Sequence, residues 1–447
     1  MQASTALWLG KPAPRYTSYP PAPFFHAEAG AADYRRSLQE IPAGQAVSVY
    51  IHIPFCRHLC LYCGCNTLIT NRPQRIHAYM EALKREISLV AAITGRRALS
   101  SLHFGGGTPN ALPASDMLGL FEHLRAQFDF SAIREIAMEL DPRLASREQV
   151  ANLAACGVTR VSLGVQDFDP GVQAAIGRVQ PYEMVAALCA QLRAAGIHHI
   201  NFDLLYGLPR QTVGILTDTC RRAADLSPDR IALFAYAHVP ALKKHQKALE
   251  PHGIPDMGQR LAMDQAARGI LVSRGYEAIG IDHFARYGDS LAQAWRAGHL
   301  HRGFQGYMEE AGTLLGFGAS SISQTEAGYF QNERDERAYQ SAVAGGDLPV
   351  HRGFLLSRED RVRRAIIGQL MCSLSCDIEA ICRAFDYPVE TFAATLEKMK
   401  PFEKGGIVAR DGYALCLTTP HRMAVRVICS LFDAYTPGSP MLASRAA

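Results

Sequence analysis

Residues 50–66 read YIHIPFCRHLCLYCGCN, a stretch in which four cysteines, Cys56, Cys60, Cys63 and Cys65, fall within ten positions. The first three are spaced C-x3-C-x2-C, so one short loop can present three thiolates to a single inorganic cluster. A [4Fe–4S] cluster is usually held by four cysteines. Three protein ligands leave one iron open to a small molecule, as a catalytic metal site keeps an open position. The stretch therefore predicts a catalytic cluster loop.

A structural zinc site is the alternative interpretation of these cysteines, with Cys65 or His58 as the fourth ligand. Structural zinc sites usually combine two C-x2-C-like pairs that are separated by a longer loop. Here all four thiols lie together, and the next cysteine along the chain is Cys156. The spacing favours the iron–sulfur cluster.

The composition is that of a globular protein with more than one domain. The chain has 447 residues, of which 48% are hydrophobic and 20% are charged. No apolar run approaches the roughly 18 residues that cross a bilayer, and no secretory signal is evident, so we expect no membrane span. Twelve cysteines are too few for a disulfide scaffold, and thiols for iron–sulfur ligation suit a reducing compartment, which predicts a cytoplasmic protein. With a formal charge of +4 and no basic tract, we expect no nucleic-acid partner.

From residue 46 onward, short apolar runs alternate with amphipathic stretches. Six strands are predicted, at Val47–Ile53, Ser100–Phe104, Glu135–Leu140, Arg160–Val165, His199–Leu204 and Arg230–Tyr236. Helices are predicted between them, at Arg75–Ala92, Ala114–Phe128, Arg147–Ala155, Tyr182–Ala195 and Thr212–Leu226. This alternation predicts an α/β fold with a parallel sheet, closed as a partial (β/α)6 TIM-like barrel, with a doubly wound open sheet as the alternative.

Three parts are expected along the chain. Residues 1–40 are predicted to be an extended N-terminal arm, because residues that precede proline avoid the helical region. Residues 41–345 would hold the α/β core and an extension. From about Gln259 to Gln324 this extension is predicted to contain a further helix, a strand near Tyr276–Ile281 and an irregular region. Residues 346–447 would form a mostly helical substrate or lid domain. Its predicted elements are helices at Glu359–Cys372, Ile378–Ala384, Val389–Lys400 and His421–Ala434 and a hairpin that turns at Asp411 and Gly412.

Residues suited to chemistry follow successive predicted strands. The cysteine loop follows the first strand, the run Gly105-Gly106-Gly107-Thr108-Pro109 follows the second, Glu139 ends the third, Gln166 follows the fourth, Asp203 ends the fifth and Ala237 follows the sixth. Because the C-terminal ends of parallel barrel strands share one rim, these residues predict a single site.

Each of these residues also has a purely structural interpretation. The glycine run can hold the amino end of a ligand or, through backbone amides, its carboxylate, or it can be an ordinary tight turn. Glu139 can contact a cationic or hydroxyl-bearing ligand, or form a salt bridge at the rim. Asp203 interrupts an apolar run and needs a buried partner or a ligand. We interpret His52 as a core histidine.

Three further cysteines lie close together near the C-terminus, at Cys372, Cys376 and Cys382. A second cluster is one interpretation of them. No glycine-rich loop surrounds them, so buried structural thiols are favoured.

With these motifs in place, the chain resembles radical S-adenosylmethionine (SAM) enzymes and, among them, the oxygen-independent coproporphyrinogen III oxidases of haem biosynthesis. The cysteine and glycine motifs are those of radical SAM enzymes in general. The narrower resemblance covers nearly the full length, in Arg15–Pro20, Cys63–Asn66, Gly164–Phe168, Asp203–Pro209, Tyr236–Pro240, Asp282–Ala285 and His301–Tyr307.

The resemblance implies a radical SAM (β/α)6 core, a helical C-terminal domain, one [4Fe–4S] cluster and two SAM molecules. Cys56, Cys60 and Cys63 would ligate iron, whereas Cys65 would not. The first SAM, which chelates the open iron, would contact Tyr50, Gly106 and Glu139. The second would be lined by Tyr62, Gly107, Thr108, Gln166, Arg178, Asp203, Ala237 and Ile322. This chain departs from the family pattern at Tyr62, where a phenylalanine is also found, and in lacking an aspartate before Leu314.

The implied activity is the oxidative decarboxylation of coproporphyrinogen III to protoporphyrinogen IX. A one-electron reductant protein such as flavodoxin or ferredoxin would reduce the cluster, and SAM would yield a 5′-deoxyadenosyl radical. The radical would take a β-hydrogen from a propionate, which then loses carbon dioxide and one electron to become a vinyl group. Arg15, Arg286 and Arg302 are candidates for binding substrate carboxylates, with ordinary surface charges as the alternative. We expect a monomer.

Two other functions are considered beside the oxidase. A haem-binding carrier or chaperone relative would keep the three cluster cysteines but differ after the third and lack the full N-terminal motif. A radical SAM haem methyltransferase is the other. Cys65 and the Arg15–Pro20 motif favour the oxidase.

Overall fold

The computed structural model describes residues 13–309 and 312–436. Its strands are β1 (Val47–Ile53), β2 (Phe55–Cys56), β3 (Leu68–Ile69), β4 (Leu99–Gly106), β5 (Glu135–Leu140), β6 (Arg160–Gln166), β7 (His199–Tyr206), β8 (Arg230–Ala235), β9 (Tyr276–Ile279), β10 (His283–Arg286), β11 (His301–Gly303), β12 (Gly306–Met308), β13 (Leu314–Phe317), β14 (Ile322–Gln324), β15 (Gly328–Asn332), β16 (Val350–Leu355), β17 (Ser375–Asp377), β18 (Val408–Asp411) and β19 (Ala414–Leu417). Its α-helices are Ala31–Gln39, Pro73–Thr94, Ala114–Gln127, Arg147–Cys156, Pro170–Ala175, Tyr182–Ala194, Val213–Asp225, Met257–Ser273, Ser290–Arg296, Glu336–Ala344, Arg358–Ser373, Ile378–Ala384, Ala393–Glu397, Lys400–Lys404 and Val425–Leu431.

These elements form two compact units. The core unit comprises Phe25–Asp203 and Gly312–Leu355, and the second unit comprises the described parts of residues 1–24, 204–311 and 356–447. The division falls inside β7, after Asp203. No helix among the described residues has the length and apolar character that a bilayer crossing requires.

The core unit is built on a mixed sheet. Its strand order is β16-β15-β14-β13-β1-β4-β5-β6-β7. The neighbours β13 and β1, β1 and β4, β4 and β5, and β5 and β6 are parallel. The strands from β13 to β16 pair with one another in antiparallel fashion. The parallel strands and connecting helices that the sequence predicts are confirmed in this unit.

Strand β1 shows how alternation fixes which side chains reach the site. Val47, Val49, Ile51 and Ile53 are fully buried on one face. Successive side chains of a strand point to opposite faces, so Ser48, Tyr50 and His52 lie on the other face. Register with the neighbouring strands therefore places Tyr50 opposite His103 of β4 and Gly316 of β13.

The helices of the core unit begin and end where the local sequence requires. The helix Pro73–Thr94 has proline in its first turn, where the missing N–H costs nothing, and ends at Gly95, whose φ is 72°. Before Arg147–Cys156, the Ser146 side chain accepts a hydrogen bond from Gln149 N. These ends position the loops that follow each strand.

The second unit contains smaller sheets and most of the C-terminal helices. Strand β10 pairs with both β8 and β9, β11 pairs with β12, and β19 pairs with both β17 and β18, all in antiparallel fashion. Strands β18 and β19 confirm the hairpin predicted to turn at Asp411 and Gly412. Cys372, Cys376 and Cys382 are buried in the apolar core of this unit, as expected of structural thiols.

Several elements differ from expectation. The predicted helix Val389–Lys400 is broken into a 3-10 turn, Val389–Phe392, and a short helix, Ala393–Glu397. A new helix, Lys400–Lys404, begins with Pro401 in its first turn, and proline disfavours a helical residue before it. The predicted helix His421–Ala434 is helical only over Val425–Leu431, after a 3-10 turn.

Two longer regions were also interpreted wrongly. The expected extended arm contains the helix Ala31–Gln39, where the Asp33 side chain accepts a hydrogen bond from Gly30 N. Between Gln259 and Gln324, the expected helix and strand are present as Met257–Ser273 and Tyr276–Ile279. The part expected to be irregular contains β13 and β14, which pair with each other, while β13 also pairs with β1. The division at residues 40 and 345 stays a prediction.

Candidate functional site

The cysteine loop lies between two short paired strands of the core unit. Strands β2 and β3 are parallel, with Cys56 opposite Ile69. Leu61 N donates to the carbonyl of Ile176 over 3.0 Å. His52 Nε2 lies 3.2 Å from the carbonyl oxygen of Asn66. The loop is thus held at both ends and in the middle, which fixes the positions from which its thiols project.

The three thiols of the C-x3-C-x2-C motif differ in burial. Cys60 is buried, Cys56 and Cys63 are partly exposed, and Cys65 is exposed beside Cys63. Burial raises the pKa of Cys56 to about 11, although a hydrogen bond from Thr108 Oγ1 over 3.2 Å opposes the rise. A thiol of this kind becomes a thiolate when a metal supplies the compensating charge.

Two arginines converge on Cys60. Arg178 Nη1 lies 3.5 Å from the Cys60 sulfur, and Arg143 Nη2 lies 3.6 Å from it. Asp141 Oδ2 accepts from Arg143 Nη2 over 2.6 Å and from Arg178 Nη1 over 3.3 Å. Although burial opposes the shift, both arginines lower the pKa of Asp141, so it is a carboxylate. Two cations and one anion leave a net positive charge at this thiol.

The other donors of Arg178 bind a backbone carbonyl near the C-terminal end of β6. Its Nε and Nη2 donate to the carbonyl of Gly164 over 3.1 and 2.7 Å. A Cβ on Gly164 would lie 2.9 Å from Gln166 Nε2 and 3.0 Å from Arg178 Nη2. Gln166 has a φ of 67°, a conformation that costs free energy in a residue with a side chain. The strand end is therefore shaped to hold these two side chains together.

The glycine run needs glycine because of protein packing. Gly106 has a φ of 111°, and a Cβ there would lie 2.6 Å from the His52 ring. A Cβ on Gly107 would lie 2.8 Å from the Pro54 carbonyl. Gly107 N and Thr108 N donate to the carbonyls of Ile53 and Phe55. The expectation that these amides bind a ligand carboxylate is therefore wrong for these two, because protein acceptors already use them.

Glu139 lies beside this turn and next to Tyr50. Its Oε2 accepts from Gly106 N over 3.3 Å, and its Oε1 is 3.4 Å from His103 Nε2. The side chain remains 41% exposed, so much of the carboxylate is open to a ligand. Burial, followed by the charge of Glu139, raises the pKa of Tyr50 well above its usual value, which keeps the phenol neutral. The carboxylate and the phenol offer an acceptor next to a neutral hydroxyl.

Asp203, which interrupts an apolar run, has the polar hydrogen-bond partners that were expected for a carboxylate at this position. Its Oδ2 accepts from Ser162 Oγ over 2.8 Å, and its Oδ1 accepts from Asn201 Nδ2 over 3.0 Å. Ile322 lies elsewhere in the same sheet. A Cβ on Gly316, the register partner of Tyr50, would lie 2.6 Å from the Ile322 carbonyl oxygen.

The structure brings most predicted residues together within the core unit but not all of them. One set of contacts joins Gly106, Glu139, Tyr50 and His52. A second set joins the side chains of Cys60, Arg178 and Tyr62. Ala237 belongs to the second unit and follows β8, so its role stays a prediction. Sequence reasoning missed Arg143 and gave Asp141 no role. The available signal was an Asp-Pro-Arg tripeptide directly after a predicted strand.

The donor set fits an iron–sulfur cluster. Three thiols project from one anchored loop, and thiolates are the protein ligands of such clusters. A cluster with thiolate ligands is anionic, and the excess positive charge of Arg143 and Arg178 complements it.

Comparisons with known proteins agree with this arrangement. The sequence profile of the Radical SAM superfamily matches residues 50–223. A protein of Bradyrhizobium diazoefficiens named oxygen-independent coproporphyrinogen III oxidase is 43% identical over the full length of both chains. The Escherichia coli protein of the same name is 38% identical over 94% of this chain and 93% of its own.

A solved structure is similar over almost the same range. It is described as coproporphyrinogen III oxidase (HemN) from Escherichia coli, a radical SAM enzyme. It aligns with a TM-score of 0.90 and 38% identity, covering 94% of this chain and 97% of the solved one. This likeness confirms the expected fold class, the α/β partial barrel of radical SAM type with a mostly helical C-terminal part.

Proposed function

The chain belongs to the oxygen-independent coproporphyrinogen III oxidases, a family of radical SAM enzymes, and we propose that it converts two propionate groups of coproporphyrinogen III into vinyl groups, giving protoporphyrinogen IX. In each round a propionate would lose one hydrogen atom to the 5′-deoxyadenosyl radical, one electron to a one-electron acceptor, and carbon dioxide. The remaining two carbons become the vinyl group, so atoms and electrons balance. The observation that carries this proposal is the anchored loop of Cys56, Cys60 and Cys63 in a chain that matches oxidases along its whole length.

Cys56, Cys60 and Cys63 would hold the cluster, and the open iron would bind SAM. When bound, these groups supply the organic radical that removes the hydrogen atom. Thr108 would donate to the Cys56 sulfur, and Arg143 and Arg178 would stabilise negative charge at Cys60. Hydrogen bonds and charges of this kind tune the cluster.

We assign the first SAM to the neighbourhood of Tyr50, Gly106 and Glu139. The part-exposed carboxylate of Glu139 suits a hydroxyl or ammonium group, which donates hydrogen bonds. Because the amides of Gly107 and Thr108 are occupied, this turn would contact the amino group of methionine through carbonyl oxygens rather than its carboxylate. The turn would thereby fix the orientation of the cofactor next to the loop.

We assign a second SAM to the other residues that the family resemblance implies, and its presence is part of the proposal. Within the core unit these are Tyr62, Gly107, Thr108, Gln166, Arg178, Asp203 and Ile322, and Ala237 follows β8. The support is the contact of Arg178 with Gly164 and Cys60 and the strained backbone of Gln166. Strained residues of this kind cluster at functional sites.

The proposal extends to partners and compartment. A flavodoxin or ferredoxin would supply the electron, the enzyme would act as a monomer, and it would reside in the cytoplasm. All twelve cysteines are free thiols, which suits a reducing compartment. Light scattering on the purified chain tests the monomer, for which we expect a mass near 48.9 kDa.

The decisive experiment is anaerobic reconstitution followed by assay of coproporphyrinogen III with SAM and reduced flavodoxin. We expect a divinyl product, one carbon dioxide and one 5′-deoxyadenosine for each propionate. Unchanged bound haem would indicate a carrier, and a methylated open tetrapyrrole would indicate a methyltransferase. Either result, with the cluster and SAM both bound, would refute the oxidase assignment. Equilibrium dialysis of labelled SAM tests for two bound molecules per chain.

A further inference from the structure

The residues that separate Cys56 from Cys60 form an exposed surface on the core unit. Arg57 and His58 are exposed, and Leu59 is 40% exposed although it is apolar. These three residues belong to the same short loop as the thiols. A molecule that contacts them is therefore next to the thiols that would hold the cluster.

A second apolar side chain is exposed on the strand that pairs with the start of this loop. Ile69 is 45% exposed and lies opposite Cys56 in the parallel pairing of β2 with β3. Thr70 N donates to the Cys56 carbonyl over 3.0 Å, which holds the two segments together. The exposed side chain of Ile69 is thus fixed beside the cysteine loop.

A third exposed apolar side chain comes from a distant part of the sequence. Val179 is 61% exposed and follows Arg178, whose Nη1 lies 3.5 Å from the Cys60 sulfur. The same segment approaches the loop backbone, since a Cβ on Gly177 would lie 3.9 Å from the Leu59 carbonyl oxygen. Single exposed apolar residues are ordinary, whereas a group of them marks an interaction site.

The charge around these apolar side chains is positive. Residues 41–80 and 170–182 contain no aspartate or glutamate. Arg57, His58 and Arg72 are exposed, and their side chains form no hydrogen bond or ion pair with any residue that the structure describes. The neighbouring segment Arg334–Arg337, whose first carbonyl accepts from Asn66 Nδ2, has two arginines and two acids and adds no net charge.

An apolar centre with arginine at its rim is typical of a protein interface. Its position beside the cluster ligands suits an electron donor, because electron transfer between proteins slows steeply with distance. Complementary charge requires that this donor be acidic, and opposite charges also speed the encounter of two partners. Flavodoxins are acidic proteins whose flavin presents an apolar edge at the surface, so they match both the charge and the apolar centre.

We propose that the surface formed by Arg57, His58, Leu59, Ile69 and Val179 is the docking site of a flavodoxin that reduces the cluster. The reduced flavin would lose one electron and the cluster would gain it, with no bond made or broken. Arg57 would pair with acidic side chains of the carrier, and the apolar side chains would contact the flavin edge. The inference rests on the proposed function for the need of an electron, but docking is measured without turnover.

The test measures binding of oxidised flavodoxin to the reconstituted full-length protein by isothermal titration calorimetry, without substrate or reductant. At low salt we expect Arg57→Glu to weaken binding at least about tenfold, because it replaces an attractive charge by a repulsive one. Arg57→Lys keeps the charge and should bind nearly as well as wild type. The difference between wild type and Arg57→Glu should shrink at high salt, where exposed charges are screened.

Val179→Ser tests the apolar part of the surface without changing the cysteine loop. We expect roughly fivefold weaker binding, because apolar contact area is lost, and this loss should persist at high salt. The rate of 5′-deoxyadenosine formation in Val179→Ser should fall when reduced flavodoxin supplies the electron. It should not fall with dithionite, a small reductant that needs no docking surface.

Arg96→Glu and Leu355→Ser are the matched controls. Both residues are exposed in the core unit. Arg96 precedes β4, at the end of that strand opposite the glycine turn, and Leu355 ends the edge strand β16. Neither substitution should change the affinity for flavodoxin. Iron content and the visible spectrum of each variant report on the cluster.

Three results would overturn the proposal. The first is a wild type that does not bind flavodoxin at low salt, or an unchanged affinity in Arg57→Glu and Val179→Ser. The second is an equal loss of the dithionite-driven rate in Val179→Ser, which would mean that Val179 acts through the cluster.

The third result concerns other occupants of the surface. If the variants left flavodoxin binding unchanged but weakened binding of coproporphyrin III, the surface would belong to the substrate site. If they instead abolished self-association seen by light scattering, its occupant would be a second copy of the chain. Flavodoxin that docks through Arg57 and Val179 on a protein that forms no vinyl product would refute the proposed function alone.

Discussion

Arg143 Nη2 lies 3.6 Å from the sulfur of Cys60. The same nitrogen is 2.6 Å from Asp141 Oδ2, so one guanidinium joins a carboxylate to the thiol. Arg178, which donates to the Gly164 carbonyl in β6, approaches the same sulfur. The net charge around Cys60 is therefore positive, and it follows from side chains that were not part of the cysteine motif.

The charge beside Cys60 should set the reduction potential of the cluster. Arg143→Gln removes one cation near a thiolate ligand, which makes an added electron less favourable. We expect the potential to become more negative by on the order of 60 mV, a tenfold change for a one-electron couple. An EPR-monitored redox titration of the reconstituted protein without SAM measures it.

Two further variants separate charge from structure at this position. Arg143→Lys keeps the charge and should stay near the wild-type potential. Arg147→Gln removes an exposed arginine nearby in the chain and should change nothing. A wild-type potential in Arg143→Gln with a full iron content would contradict the role given to Arg143.

The cysteines of the loop should differ in their effect on iron. Wild-type protein reconstituted without oxygen should bind about four irons per chain, as a [4Fe–4S] cluster requires. Cys60→Ala should lose most of this iron, because Cys60 is one of three ligands, whereas Cys65→Ala should retain it. Iron analysis and the visible absorption spectrum measure both. Loss of iron from Cys65→Ala alone, or a protein that holds zinc and no iron, would contradict the assignment.

The backbone at Gly106 should tolerate no side chain. Gly106→Ala places a Cβ 2.6 Å from the His52 ring at a φ of 111°, so both sterics and conformation oppose it. We expect the free energy of unfolding to fall by about 1–3 kcal/mol, as measured by urea denaturation. Gly119→Ala is the control, because Gly119 lies in the helix Ala114–Gln127 with nothing near its Cβ position, and it should be neutral or stabilising. Equal stability of the two variants would refute this reading of the turn.

Glu86 should make stability depend on pH. Its buried carboxylate accepts from Tyr339 Oη over 2.6 Å, Asn332 Nδ2 over 2.6 Å and Gly318 N over 2.8 Å. Burial outweighs these hydrogen bonds and raises the pKa to about 7 from an ordinary value of 4.5. The folded protein therefore holds a proton that the unfolded chain releases, so this contribution is full below pH 4.5 and is lost as the pH rises through about 7.

The comparison of Glu86→Gln with wild type isolates this effect. Between pH 5 and pH 8, wild type should lose up to about 3 kcal/mol of unfolding free energy relative to Glu86→Gln. Glu81→Gln is the control on the same helix, since a hydrogen bond from Lys84 lowers the pKa of the partly exposed Glu81. Urea denaturation at each pH gives the free energies. A constant difference between wild type and Glu86→Gln over this range would show that Glu86 keeps an ordinary pKa in the folded protein.

The sequence predicted the features that depend on neighbouring residues. The spacing of Cys56, Cys60 and Cys63 holds the ligands within one loop, so no distant contact was needed to recognise them. The short apolar run Val47–Ile53 predicted the strand that carries Tyr50. The same local logic placed Gly106, Glu139 and Asp203 after strands or at their ends.

Prediction was wrong where the outcome depended on distant partners. Strand β13 is stabilised by parallel pairing with β1, from more than two hundred residues earlier, and it has too few residues for a period to show. One interpretation of the glycine turn left its amides for a ligand carboxylate, but Ile53 and Phe55 accept the hydrogen bonds of two of them.

The sequence by itself determined the cluster loop, the strand–helix alternation and the family, because each depends on residue spacing and on short motifs within the chain. Tertiary structure alone decided which charges meet. Arg143 and Arg178 reach Cys60 across separations of 83 and 118 residues, and Glu86 meets Tyr339 across 253. Electrostatic interactions and burial depend on distance in space, and the distance between side chains is set by packing of the whole chain rather than by the order of residues.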